Sequence, residues 1–261
     1  MSTLTMFARD DRALVLTDTA GTTSDLTVSA WANKVATVPH LRMALTVQGA
    51  AEAVGTFANR LAGDLGSFDA IVRDGARYLA EEHADNAALW ESSVGLSDFR
   101  LGLVGWSEKR QRFDAYFLQS READGVPAFT FVRRDIVMAP ELDPSDIAHL
   151  QIPKDGAAFS AGAQAYLLRI MAVQRHATTL RFGGGEPGYV TGGQVVATEL
   201  TRDGITQRVM HAWPDKLGEP IQPAPLMEEL AAVMQTPRQA SAPNVVAMSR
   251  QQGRAAARAS K

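Results

Sequence analysis

A layered α+β protein is the fold class that this chain predicts, and two observations predict it. Its β-type and helical runs come in separate blocks, ordered strands, two helices, strands, one helix, strands, rather than alternating one by one. Within the strand blocks, short turn-like stretches join neighbouring runs as hairpins.

The first block holds Leu4–Ala8 and Ala13–Thr17, separated by Arg9-Asp10-Asp11-Arg12. After the polar, loop-like stretch Thr19–Asp25 come Lys34–Val38 and Leu41–Val47, broken at Pro39-His40. The texture changes at Gly49. Apolar residues take helical spacing over Ala50–Leu61 and Phe68–His83, split by Gly63-Asp64-Leu65-Gly66. Residues 84–98, around Trp90, interrupt that pattern and read as an insertion over a site. Phe99–Trp106 and Phe113–Gln119 form a hairpin around Glu108-Lys109-Arg110-Gln111, and Phe129–Val137 is a further strand. Pro140–Gly156 is a connector with one short helical turn at Asp143-Pro144-Ser145-Asp146. Tyr166, Leu167, Ile170, Met171 and Val173 predict a long helix over Ala161–Thr178. The last block is a hairpin, Gln194–Thr201 and Ile205–His211, closed by Arg202-Asp203-Gly204.

At 261 residues the chain is long enough to bury a full-sized core. A formal net charge of -3 gives no global attraction to nucleic acid or acidic membranes. The absence of cysteine excludes disulfides, thiolate metal sites and cysteine nucleophiles. No apolar run approaches the roughly 18 residues of a membrane span, and MSTLTMFARDD lacks the shape of a signal peptide. A cytoplasmic protein without membrane attachment is expected. From about Gln235 the composition turns to Gln, Ser, Ala, Pro and Arg, with Arg238, Arg250, Arg254, Arg258 and Lys261 and no acidic residue. Residues 1–234 are therefore read as the folded domain and 235–261 as a disordered basic tail. The tail's few charges make nucleic-acid binding unlikely as its purpose.

The familiar site motifs do not hold up. Gly183-Gly184-Gly185 lacks the Gly-Lys-Ser/Thr ending of a phosphate loop. His40, His83, His149, His176 and His211 show no metal-ligand spacing, so neither a metal nor another cofactor is expected. No G-x-S-x-G elbow is present; Ser160-Ala161-Gly162 is a poor substitute.

A different constellation carries the chemistry. Ser2, Asp18 and Lys34 follow one another at intervals of sixteen. Asp18 ends the apolar run Leu14-Val15-Leu16-Thr17, and Lys34 opens the next run in Asn33-Lys34-Val35. Gln48-Gly49-Ala50 stands between a strand and the first helix. Val190-Thr191-Gly192-Gly193-Gln194-Val195-Val196 then feeds the hairpin closed by Asp203-Gly204. Spacing and order together resemble the Ntn-hydrolases of the proteasome β-subunit and HslV type, over roughly residues 2–213. The resemblance implies a four-layer αββα sandwich and an N-terminal nucleophile amidohydrolase, most simply a peptidase. Ser2, exposed by removal of Met1, would attack a carbonyl while its own α-amine accepts the proton. Lys34 would hold positive charge beside that amine, Asp18 would fix Lys34, and the Gly49 amide, on the first turn of a helix, would donate to the oxyanion. A peptide or amide substrate and a homo-oligomer, ring or dimer, are implied with it.

The chain also departs from the family. Serine replaces the usual threonine, and Ala20 stands where arginine usually follows the aspartate. Gly188 falls near the place of an aspartate of the catalytic network, and Ala161 near that of a supporting serine. These departures keep a second reading open, an inactive proteasome-like subunit with a structural or binding role.

Overall fold

The structure is a computed structural model that describes residues 3–49, 53–95, 97–142, 144–150, 152–153, 155–179 and 187–235. Along the chain, β1 (Leu4–Ala8) and β2 (Arg12–Asp18) form a hairpin, and β3 (Ala20–Thr22) pairs with β4 (Val28–Trp31). β5 (Val35–Val38) and β6 (Met43–Gln48) follow, then α1 (Ala53–Asp64) and α2 (Phe68–Val94). Next come β7 (Arg100–Ser107), β8 (Arg112–Gln119), β9 (Val132–Arg134), β10 (Ile136–Ala139), α3 (Pro144–Leu150) and α4 (Gly156–Gln174). The chain continues through β11 (Thr178–Thr179), β12 (Gly188–Tyr189), β13 (Gln194–Thr201), β14 (Gly204–Ala212) and α5 (Leu226–Gln235).

Two five-stranded antiparallel sheets result, in the orders β10-β1-β2-β13-β14 and β5-β6-β7-β8-β9. The two-residue period of a strand sorts their side chains into three apolar clusters. Leu4, Met6, Ala13 and Val15 of the first sheet meet Ala44, Val104, Trp106 and Phe113 of the second. The opposite face of the first sheet sets Phe7, Leu14 and Leu16 against Phe159, Leu167 and Met171 of α4 and Leu230 of α5. The outer face of the second sets Met43, Leu45 and Leu103 against Phe57 and Leu61 of α1 and Ile71 of α2. Because both faces of the central strands are covered, β1 and β6 are buried along their whole length, so even the polar side chains that alternate at Thr46 and Gln48 of β6 are buried.

Several expectations need correction. Thr19–Asp25 is not wholly loop, since Ala20–Thr22 pairs with Val28–Trp31. The run 129–137 is two strands: β9 pairs with β8 and β10 with β1, so the chain changes sheets at Asp135, whose carbonyl accepts from the Ala8 amide at 3.2 Å. Residues 84–94 are no insertion over a site but the continuation of α2. That helix starts at Ser67, whose hydroxyl accepts from the Ala70 amide, and stops at Gly95 with φ +69°. Trp90 is buried edge-on to Phe57, at 5.6 Å between ring centres. The long helix begins at Gly156, capped by the Asp155 carboxylate on the Ala157 and Ala158 amides, and not at Ala161. α5 was not foreseen, and Gln235, read as the first tail residue, closes it; residues 236–261 lie outside the described chain. No described helix is long and apolar enough to cross a membrane.

Candidate functional site

Three elements converge where β2 ends. Pairing with β1 brings Thr3 alongside, pairing with β13 sets Val195 opposite Asp18, and β5 of the other sheet starts one residue after Lys34. Asp18 is fully buried and its oxygens are saturated. Oδ1 accepts from the Thr3 amide at 3.0 Å, Oδ2 from the Gly192 amide at 3.2 Å, and both accept from Lys34 Nζ at 2.8 Å. The third ammonium proton has the Ala20 carbonyl as its acceptor at 2.6 Å. The Thr3 and Thr191 hydroxyls hydrogen-bond to each other. The pair therefore ties the ends of both sheets to the segment that follows Ser2. Burial pushes the Lys34 ammonium below its ordinary pKa; the Asp18 charge and hydrogen bond pull the other way, and less strongly.

Of the four residues singled out, Asp18 and Lys34 are in direct contact, and Ser2 lies outside the described residues. Gly49 leaves the same end of the second sheet as Lys34, because Val35 pairs with Thr46. Its expected place on the first turn of a helix is wrong: φ is +130°, and an added Cβ would sit 2.6 Å from the Asp98 carbonyl. Only glycine fits such a backbone so close to a neighbouring strand. The Gly183-Gly184-Gly185 run also lies outside the described residues. Ser160 sits inside α4, where its hydroxyl donates to the Gly156 carbonyl at 2.7 Å, and is thus occupied by its own helix.

Behind the Thr191-Gly192-Gly193 turn stands a second charged cluster that the sequence reading missed. Arg175, at the C-terminal end of α4, is completely buried. Its Nη1 donates to the Thr191 carbonyl and to Asp215 Oδ2, both at 2.8 Å. Its Nη2 donates to Asp215 Oδ1 at 2.7 Å, and its Nε to Glu229 Oε1 at 3.0 Å. The Gly193 amide also donates to Asp215 Oδ2, at 2.8 Å. The guanidinium lies 4.7 Å from the centre of the Trp213 ring. The turn is thus held from one side by Asp18 and from the other by the Arg175–Asp215 fork. Local sequence carries no signal for this, since the partners lie 40 and 54 positions from Arg175.

A cleft of about 500 Å³ opens beside the turn, lined by Thr19 and Asn33, the sequence neighbours of Asp18 and Lys34, and by Trp31 and Gly193 among others.

No protein-family profile matches the sequence, and no curated protein does. Solved structures do match in fold. One is the Anbu (Gly-1) mutant from Hyphomicrobium sp. strain MC1, with a TM-score of 0.55, 11% sequence identity, and coverage of 83% of this chain and 89% of that one. At that identity the likeness is one of fold alone: the two chains share an architecture over most of their lengths.

Proposed function

We propose that this protein is a proteasome-like N-terminal nucleophile amidohydrolase, a peptidase in its simplest form, built as a four-layer αββα sandwich. The observation that carries the reading is the buried Asp18–Lys34 pair, hydrogen-bonded through Asp18 to the amide of Thr3, the residue after Ser2. Removal of Met1 puts an α-amine and a hydroxyl on Ser2. An ordinary α-amine has a pKa of about 7.7–8.0, and a fixed ammonium nearby lowers it further, so the neutral amine can accept the hydroxyl proton at neutral pH. The Ser2 oxygen then adds to the substrate carbonyl, the amine returns the proton to the leaving nitrogen, and water hydrolyses the ester that remains. Gly49 donates to the oxyanion in this scheme. The three apolar clusters, two under helices and one between the sheets, support the layer order. A cytoplasmic homo-oligomer acting on peptides belongs to the same proposal.

One observation favours an alternative, an inactive fold with a binding or structural role. Gly188 and Ala161 carry no side chain able to support the site, and the Ser160 hydroxyl is engaged by its own helix. Intact mass and turnover separate the two readings. The hydrolase reading expects a mass short by one methionine, and peptide cleavage that disappears in Ser2→Ala. A retained Met1, or cleavage indifferent to Ser2→Ala, overturns it.

A further inference from the structure

The cleft beside the Thr191–Gly193 turn has a composition that selects an occupant. Its walls come from Trp31 and Asn33 on one side and from Gly193, Gln194, Gln207 and Asp215 on the other. Trp31 is 43% exposed, while Trp90, Trp106 and Trp213 are all buried. Its indole is nevertheless fixed rather than loose. A Cβ on Gly193, where φ is +75°, would fall 2.6 Å from Trp31 Cζ3 and 2.6 Å from the Thr19 hydroxyl, so the ring rests against bare backbone. Asn33 Nδ2 donates to Gln207 Oε1 at 3.2 Å and closes one end. Among the described residues, one titratable side chain, Asp215, lines the cleft, and its charge is spent: Oδ1 accepts from Arg175, and Oδ2 from Arg175 and from the Gly193 amide. A cationic group entering the cleft meets no free anion among these residues, and an anionic group no free cation. What remains is the exposed Trp31 surface among neutral amides and the apolar Val196, Ala212 and Trp213, in a volume typical of small-ligand sites, roughly 300–1,000 Å³.

We infer that this cleft is a substrate subsite for a neutral aromatic side chain, which stacks on Trp31 next to the reacting amide. The assignment of that amide rests on the proposed hydrolase reading; the binding preference does not. Gln194 supplies an amide group for the peptide backbone beside the stacked ring, and Gly193 is glycine because the Trp31 platform needs its surface bare.

Calorimetry on the Ser2→Ala protein, which removes turnover, tests the inference. The probes are hexapeptides of Ala, Gly and Ser carrying a single Phe, Asp or Lys. The Phe peptide is expected to bind about tenfold tighter than the other two, the scale of one aromatic pair together with its buried area. Trp31→Ala removes that preference, and Trp31→Phe keeps most of it. Because Trp31 also packs on Gly193, Gln194→Glu provides an independent check at an exposed wall position: it should shift the preference toward the Lys peptide. Equal binding of the three peptides, or a Phe preference that survives Trp31→Ala, overturns the subsite. Turnover of the Phe peptide by the unmodified protein is read separately. Cleavage without side-chain preference sinks the subsite and leaves the hydrolase reading standing. Trp31-dependent binding without cleavage does the reverse.

Discussion

Arg175→Met asks how much of this fold depends on the cluster behind the glycine turn. Methionine keeps most of the side-chain length, so the change isolates the guanidinium. Arg175 has no exposure, and the Asp215 and Glu229 side chains retain 4% each. Removing the cation withdraws four hydrogen bonds, three of them to carboxylate oxygens, and strips two buried anions of their counter-charge. The anions keep one backbone donor apiece, Gly193 for Asp215 and Ala224 for Glu229, which is too little to replace an ion pair. Removing one partner of a buried pair costs about 3–5 kcal/mol. In a chain of this size that corresponds to a fall in Tm of roughly 6–20 °C. Urea unfolding of the wild type and variant measures the difference directly. Adding Asp215→Asn to Arg175→Met should recover part of the loss, because one of the abandoned charges goes with it, and the interaction energy in that double-mutant cycle isolates the fork. A loss below about 1 kcal/mol, with no recovery in the double variant, would refute the view that this cluster braces the turn.

Two further outcomes follow from packing and titration. Gly105→Ala puts a methyl 2.9 Å from Met43 Cβ and against the Phe68 ring; overpacking of this kind should cost about 1–3 kcal/mol in the same unfolding assay. His176 is held below its ordinary pKa of 6.5, first by burial and also by Arg175, while Glu229 and Asp146 oppose the shift. Its Nε2 is buried without a hydrogen-bond partner. The unfolded chain therefore takes up the proton first. Stability is unaffected by this group above pH 6.5 and declines as pH falls below that value toward the lowered folded pKa. His176→Gln should flatten that slope in unfolding measured across acidic pH.

The sequence made strand positions legible wherever an apolar run was bounded by a turn: Leu4–Ala8 and Gln194–Thr201 fall at their read limits. It misled where a boundary is a tertiary event. The run 129–137 is continuous in character, and only pairing with β8 and then with β1 divides it. Likewise α2 carries on past His83 because Trp90 finds Phe57 on α1, a contact that helical periodicity does not reveal. α5 was overlooked although Leu226, Leu230 and Val233 fall at helical spacing and pack in the core; the exposed Met227 and Met234 blurred that stripe.

The site divides differently. Asp18 and Lys34 lie at strand ends of different sheets and share no register; they were readable only through their sixteen-residue spacing, which matches a known pattern of aspartate and lysine. Arg175, Asp215 and Glu229 come from a helix end, a loop and another helix, and no comparable spacing marks them. Gly193 joins the two groups. As a sequence feature it reads only as a turn glycine. In the fold its amide caps Asp215, its φ of +75° excludes most side chains, and its bare face supports the Trp31 indole. A substitution there disturbs the anion brace and the aromatic wall of the cleft together, whereas Trp31→Ala removes only the wall. The stability loss of a Gly193 variant should therefore exceed that of Trp31→Ala, and the excess measures how far the brace and the cleft depend on the same few backbone atoms.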